Sequence, residues 1–217
     1  MFDIFTRDGF IETLYFIPAL LLSLSIHEFG HSLVAYKLGD KSQKAMGRLT
    51  LSPFAHIDPI GFVFILLFKF GWGKPVFIDD TNFKNKAKGN MFVALAGPMF
   101  NVLLAILLTV VLKVLLCFGI NAQTIHSSVG AILYTMLNLA IQFNVVFAVF
   151  NLLPLPPFDG AKVLYYFLPY KGKKFMDKLE RYSIWILLVL LWTGLYTYLI
   201  LPAYMGVAFI LNFILSL

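Results

Sequence analysis

Long apolar runs, separated by short polar segments that carry most of the lysines, set the pattern of this chain. Measured against the roughly 20 residues that a membrane-spanning helix needs, the runs predict helices over residues 13–37, 90–112, 129–150 and 182–201, with a last apolar segment over 203–217. Two shorter stretches fit less simply. Residues 57–70 contain Pro59 and Gly61 and are too short and broken to span, so a re-entrant or interfacial element is expected there. Residues 152–157 carry three prolines, which stop the preceding helix before a brief apolar stretch reaching about residue 168. Between the first two runs, Arg48-Leu49-Thr50-Leu51-Ser52 alternates polar and apolar side chains with period two, the signature of a short strand. Such a strand could pair with an unwound peptide by β-augmentation. The expected fold is an all-α polytopic membrane protein. It has about five or six hydrophobic segments, a short re-entrant or β element after the first helix, and one membrane-embedded domain over residues 1–217.

Composition strengthens the bilayer reading. Of 217 residues, 60% are hydrophobic and 13% charged, whereas a soluble domain carries charge on about a quarter of its residues. The 23 phenylalanines and 10 tyrosines suit lipid contact and interfacial belts rather than stacking on nucleic-acid bases. One cysteine, Cys117, excludes an internal disulfide and is expected as a packed small residue. The net charge of +6 matters less than its placement. With residues 57–70 re-entrant, the lysines and arginines after the first helix, before residue 90 and between residues 162 and 181 share one side. Only Arg7 and Lys113 fall opposite. The positive-inside rule makes the basic side cytoplasmic, and these charges signal topology rather than nucleic-acid binding. A cleaved signal peptide does not fit the start of the chain, where Asp3, Asp8 and Glu12 accompany Arg7.

Into the first apolar run falls His27-Glu28-Phe29-Gly30-His31. On a helix, the two histidines lie one turn apart on one face, where both can hold a single zinc ion. Glu28 beside them is placed to act as a base toward water held there. Ionisable groups at membrane depth are costly and mark functional sites. Glu28 precedes Lys37 by nine residues, about 13 Å along a helix, which places the site inside the membrane nearer the cytoplasmic face. The pattern points to a zinc hydrolase acting within the bilayer.

Catalytic zinc usually takes three protein ligands. His56 and His126 are expected as loop histidines, and most acidic residues lie in polar loops among lysines. Asp159 is the exception, closing the apolar proline-broken segment Asn151-Leu-Leu-Pro-Leu-Pro-Pro-Phe-Asp159-Gly160. Helix interruption at membrane depth is tolerated where backbone is buried in protein or lines a wet cavity. Asp159 is therefore placed to complete a His2Asp site, the competing reading being a turn aspartate that caps the next helix.

HEFGH together with NLLPLPPFDG resembles the site-2 protease family of intramembrane zinc metalloproteases. GRLTLSPFAHIDPIG (residues 47–61), GWGKPV (71–76) and ALAGPMFN (94–101) resemble its small bacterial and archaeal branch, which has neither a PDZ insert nor a CBS pair. The likeness runs in blocks from about residue 20 to residue 160. The resemblance implies that His27, His31 and Asp159 ligate one Zn2+ per chain, that Glu28 is the catalytic carboxylate, and that Asn151 helps bind substrate or the developing oxyanion. Ser52 stands where the family often has Asn, and Ala161-Lys162 where Gly-Arg is more usual.

The expected activity is hydrolysis of peptide bonds in or near transmembrane segments, whether in regulated intramembrane proteolysis or in removing signal-peptide remnants. The expected partners are a transmembrane protein substrate and the lipid bilayer, with oligomeric state left open. Two rival classes are a non-catalytic zinc-binding membrane scaffold and a membrane metal transporter. The first would show a lost ligand or a lost Glu28; the second, internal repeats. Neither is found. Asn101, after Gly97-Pro98, is expected to hydrogen-bond between helices or to contact substrate.

Overall fold

The computed structural model describes residues 7–68, 73–74, 77–120 and 128–216. Its described residues are organised as nine α-helices: α1 (Arg7–Leu38), α2 (Ser42–Ala45), α3 (Pro59–Phe68), α4 (Lys86–Cys117), α5 (Ser128–Asn151), α6 (Asp159–Phe167), α7 (Tyr170–Arg181), α8 (Ser183–Thr193) and α9 (Leu195–Ser216). Among the described residues three helices are long and apolar enough to cross a membrane: the Thr13–Leu38 part of α1, α4, and the Val129–Asn151 part of α5. The protein is an integral membrane protein built from helices.

Those three helices pack on one another, and a period-four series of small or polar residues explains how. Ala19, Ser23, His27, His31 and Ala35 follow one stripe of α1; Gly97, Asn101, Ala105 and Thr109 follow one of α4; Ala140, Asn144 and Ala148 follow one of α5. All are buried. Within lipid, helix association draws on close packing and interhelical hydrogen bonds rather than on apolarity, so small residues at this spacing lie at the contacts. Bulky side chains go outward: Leu103, Leu107 and Leu133 are each more than half exposed, as lipid-facing positions are.

Helix α9 packs on α4 and α5, and α6 packs on α4. A hydrophobic cluster of Ala105, Val145, Val149, Leu153, Phe158, Leu190, Ile200 and Leu211 ties α4 and α5 to the chain after the proline break and to α8 and α9. Lys113 on α4 donates to the carbonyl of Ile214 at 3.0 Å, fastening the end of α9. At the opposite end of α4, Val93 packs with Ala35 and Phe83, so the C-terminal end of α1 abuts the N-terminal end of α4.

Several expectations change in detail. The apolar run over 182–201 does not form one helix. Gly194 adopts a left-handed conformation (φ 67°) that ends α8 after 11 residues, about 16 Å of helix and too short to span. Among the described residues three helices are span-length, and α3, α8 and α9 are the further apolar segments. Residues 57–70 give the ten-residue α3 as far as Phe68, and residues 69 and 70 lie outside the described part. No strand occurs among the described residues, and Arg48 to Ser52 is irregular. The pattern there was misleading because Arg48 points inward and is 6% exposed, donating to the carbonyls of Ala55 and Lys74. His56 donates to the Thr50 carbonyl at 2.8 Å, so side chains take acceptors that a ladder would use. A single antiparallel bridge joins Ile57 and Gly73. Cys117 is exposed at the end of α4 rather than packed.

Candidate metal centre

His27 and His31 sit on the inward stripe of α1, one turn apart, and are 4% and 8% exposed. Asp159 reaches them from the far side of the proline break. Ala161 donates to Phe158 and Phe158 to Leu155 in successive turns, which bring the start of α6 back toward the bundle. Asp159 is the first residue of α6 and is also 8% exposed. Its carboxylate does not serve as a cap, since Phe158 holds the cap position without a side-chain hydrogen bond. Instead, Asp159 Oδ2 lies 3.1 Å from His27 Nε2 and 3.0 Å from His31 Nε2. The two Nε2 atoms are 3.1 Å apart.

What lies on the other side of each imidazole decides what this triangle is. His27 Nδ1 is 2.7 Å from Asn101 Oδ1, and His31 Nδ1 is 2.7 Å from the Val93 carbonyl oxygen. Both partners only accept, so each ring carries its proton on Nδ1 and donates it outward. Each Nε2 then presents a bare lone pair to the triangle. With both rings neutral, two nitrogen lone pairs and a carboxylate oxygen converge, an arrangement that a cation relieves. The edges lie within about 0.4 Å of those of a tetrahedral zinc site with bonds of about 2.0–2.1 Å. Outward hydrogen bonds from Nδ1 are also what holds ligating histidines in place. The residues fit a zinc ion, and His27, His31 and Asp159 form a group able to hold one.

Close backbone approach makes room for this triangle. A Cβ on Gly97 of α4 would lie 2.5 Å from His31 Nε2 and 2.7 Å from His27 Cε1, so only hydrogen fits there. A Cβ on Gly30 would lie 2.9 Å from the Ala96 carbonyl, which lets α1 and α4 touch beside the histidines. A Cβ on Gly160 would collide with the backbone of Leu152 and Leu153, so the turn after the prolines closes only with glycine beside Asp159. Pro98 cannot donate to the Ala94 carbonyl four residues back, which loosens the α4 ladder next to Val93.

Of the five residues expected at the site, three meet in the triangle. Glu28 follows His27 on α1 and is half-buried. Asn151 is the last residue of α5 and half-buried, and its amide donates to the Phe147 carbonyl at 3.0 Å. It stands outside the three-atom cluster. His56 is a loop residue, but one with no exposed surface, and its Nδ1 has no hydrogen-bond partner among the described residues. His126 lies outside the described residues. Asn101 proves to be a contact of the site itself, through His27, and Asn144 stands behind it at 2.8 Å. Their signal in the sequence was polarity inside apolar runs. Lys162 Nζ lies 3.7 Å from Asp159 Oδ1 and is mostly exposed, placing a positive charge at the rim of the site.

Known proteins agree with this picture. The sequence pattern of peptidase family M50 matches residues 15–194. "Putative zinc metalloprotease YwhC" of Bacillus subtilis is 36% identical over 188 residues, covering 87% of this chain and 84% of that protein. The Rip2 protein of Mycobacterium tuberculosis, under the same description, is 31% identical over 179 residues, covering 80% of this chain and 65% of its own length. MJ0611 of Methanocaldococcus jannaschii, also so described, is 28% identical over 165 residues, covering 74% of this chain and 75% of its own. No solved structure matches the chain.

Proposed function

The chain belongs to peptidase family M50, the site-2 zinc metalloproteases, and from that membership we propose that it hydrolyses peptide bonds in or near the transmembrane segments of other membrane proteins. The observation that carries this reading is the converging triangle of His27, His31 and Asp159 buried among helices long enough to span a bilayer. A soluble peptide gains nothing from a site at that depth, whereas a peptide bond already in the membrane starts there.

In this reading His27, His31 and Asp159 hold one zinc ion per chain. The bound metal supplies Lewis acidity and makes an attacking water available near neutral pH. Glu28, one residue from His27, accepts the proton of that water and returns it to the leaving amine nitrogen. Asn151, at the end of α5, has one amide hydrogen engaged with Phe147 and a second to offer. In this reading that hydrogen binds a carbonyl oxygen of substrate or the charge that develops on it. A helical substrate shields its own peptide bonds, so it must unwind locally to reach the triangle.

The basic residues of the loops around α2, before α4 and along α7 set those loops in the cytoplasm of a prokaryotic cell, with the site opening toward that face. The ends of α1 and α4 that abut at Ala35 and Val93 belong to the same side. Substrates are then membrane proteins cleaved within reach of the cytoplasmic leaflet, in signalling or in clearance of signal-peptide remnants.

The test measures zinc content and cleavage of a transmembrane substrate by purified wild type and Glu28→Gln in detergent. One zinc in each protein with cutting by wild type alone is the expected result. Normal turnover by Glu28→Gln sinks the proposed role of Glu28. Zinc in each protein with cleavage by neither, across a panel of transmembrane substrates, favours a zinc-binding scaffold instead.

A further inference from the structure

Behind His27 lies a set of buried polar groups that the reaction does not use. Ser23, Asn101 and Asn144 have no exposed surface and come from α1, α4 and α5 respectively. Asn101 Nδ2 donates to the Ser23 carbonyl at 2.9 Å and to Asn144 Oδ1 at 2.8 Å. Asn144 Nδ2 donates to Ser23 Oγ at 2.9 Å and to the Ala140 carbonyl at 2.8 Å. Ser23 Oγ in turn donates to the Ala19 carbonyl at 2.9 Å. Both amide hydrogens of each asparagine are used, and each Oδ1 accepts.

Backbone carbonyls accept only, and that fixes the direction of every bond. If Asn144 were turned over, its Oδ1 would face the Ala140 oxygen at 2.8 Å. If Asn101 were turned over, its Oδ1 would face the Ser23 oxygen at 2.9 Å. Each flip sets two oxygens against each other in a low-dielectric interior, where unmatched polar groups are most costly. Asn101 can therefore show His27 nothing but an acceptor.

We infer that Asn144 is a positioning residue for metal binding: through Asn101 it holds His27 as the Nδ1–H tautomer and so keeps Nε2 bare toward His31 and Asp159. The hydrogen bonds of Asn144 run to Asn101, Ser23 and Ala140 rather than to the imidazole or the triangle. Its part is to take the second amide hydrogen of Asn101, which leaves that amide no reason to turn. Without Asn144 that hydrogen is buried and unpaired, which leaves the Ser23 carbonyl alone to oppose rotation of Asn101, and the rotated amide presents an N–H to Nδ1. The imidazole proton then moves to Nε2, into the space the metal needs. The inference rests on the zinc site of the proposed function but not on proteolysis.

The experiment uses the full chain in detergent and reads zinc affinity, by competition with a chelator, and the ring protons of His27, by nitrogen-15 magnetic resonance of histidine-labelled protein. In zinc-loaded wild type the His27 proton is expected on Nδ1, with metal on Nε2. The reverse arrangement overturns the inference whether or not any variant folds. Asn144→Leu is expected to lose roughly tenfold to a hundredfold in zinc affinity, the range for outer partners of metal ligands, with part of His27 protonated on Nε2 in the metal-free chain. Asn144→Asp, a neutral acid in this interior, still offers Asn101 an acceptor and is expected to restore both readouts. Thr109→Val removes another buried hydrogen bond of α4, from Thr109 to the Ala105 carbonyl, and is expected to bind zinc as wild type does. Unchanged zinc affinity in a folded Asn144→Leu, or an equal loss in Thr109→Val, overturns the relay while leaving the zinc site intact. A wild type that takes up no zinc overturns the site and the relay together.

Discussion

Two buried polar clusters lie a dozen residues apart along the chain and obey opposite rules. At the end of α1, Asp40 is 1% exposed and accepts from the Ser42 amide at 2.9 Å, from Gln43 Nε2 at 2.8 Å and from the Asp79 amide at 3.0 Å. Gln43, fully buried, also donates to the Phe77 carbonyl at 2.7 Å. Donors meet acceptors there, and the result fastens the turn after α1 to the segment before α4. About two to three turns back from the end of α1, His27 and His31 meet Asp159 of α6 and instead bring three acceptor atoms to within 3.1 Å of one another. Burial alone does not separate structural from functional polarity. The matching of donors to acceptors does, and a converging set of one kind is where a ligand belongs.

The comparison is broken most completely by removing a member of the unmatched set. His27→Ala or His31→Ala is expected to abolish stoichiometric zinc and all cleavage while the helices still form, as judged by zinc analysis and circular dichroism. A chain that keeps one tightly held zinc without His27 does not use the triangle. Gly97→Ala probes the same space from the opposite wall. The added methyl would stand 2.5 Å from His31 Nε2, so zinc affinity is expected to fall by about a hundredfold or more, the upper range for disturbed metal shells. Wild-type affinity in Gly97→Ala shows that α4 can retreat, and that the close packing is not what shapes the site.

Much of this was legible in the residues themselves. HEFGH fixes the two nitrogens because helical spacing is local, and three prolines before Asp159 flag a break where a third ligand can enter. The long spans α1, α4 and α5 follow from apolar length alone. Less legible were features that depend on distant partners. The period-two pattern at Arg48–Ser52 looked like a strand because burial of Arg48 by the Ala55 and Lys74 carbonyls is a tertiary event. Gly194 splits an apolar run that hydropathy reads as continuous, since a left-handed turn leaves no trace in hydrophobicity. Asn101 drew notice as a polar residue in a span, yet the direction of its hydrogen bonds comes from carbonyls on two other helices.

The matched cluster should respond in stability and not in zinc. Asp40→Ala takes away one of the two strong acceptors of the Gln43 amide and the acceptor of the Asp79 amide, at a cost on the order of 2–3 kcal/mol by the usual penalty for unpaired buried groups. The expected result is a lower unfolding midpoint with one zinc still bound. Loss of zinc at unchanged stability reverses the assignment of the two clusters and joins Asp40 to the site.

Acid offers the smallest and most specific distinction. Burial opposes ionisation of Asp40, but the hydrogen bonds from Ser42, Gln43 and the Asp79 amide outweigh it and hold the carboxyl below the ordinary carboxylate range. The unfolded chain, with an ordinary aspartate value of about 3.9, therefore binds this proton more readily than the folded one. Stability from Asp40 is then complete above about pH 4–5, and it falls as pH drops through the depressed folded value. Asp40→Asn removes the titration and returns an amide of the same shape, one of whose hydrogens meets a donor. It is expected to be about 1 kcal/mol less stable near neutrality, with the gap to wild type closing as the solution is acidified below pH 4. The difference between the two unfolding curves, taken at matched zinc, isolates this group from Asp159, which both proteins share. A gap that stays constant or widens in acid means that Asp40 is not held ionised by its partners.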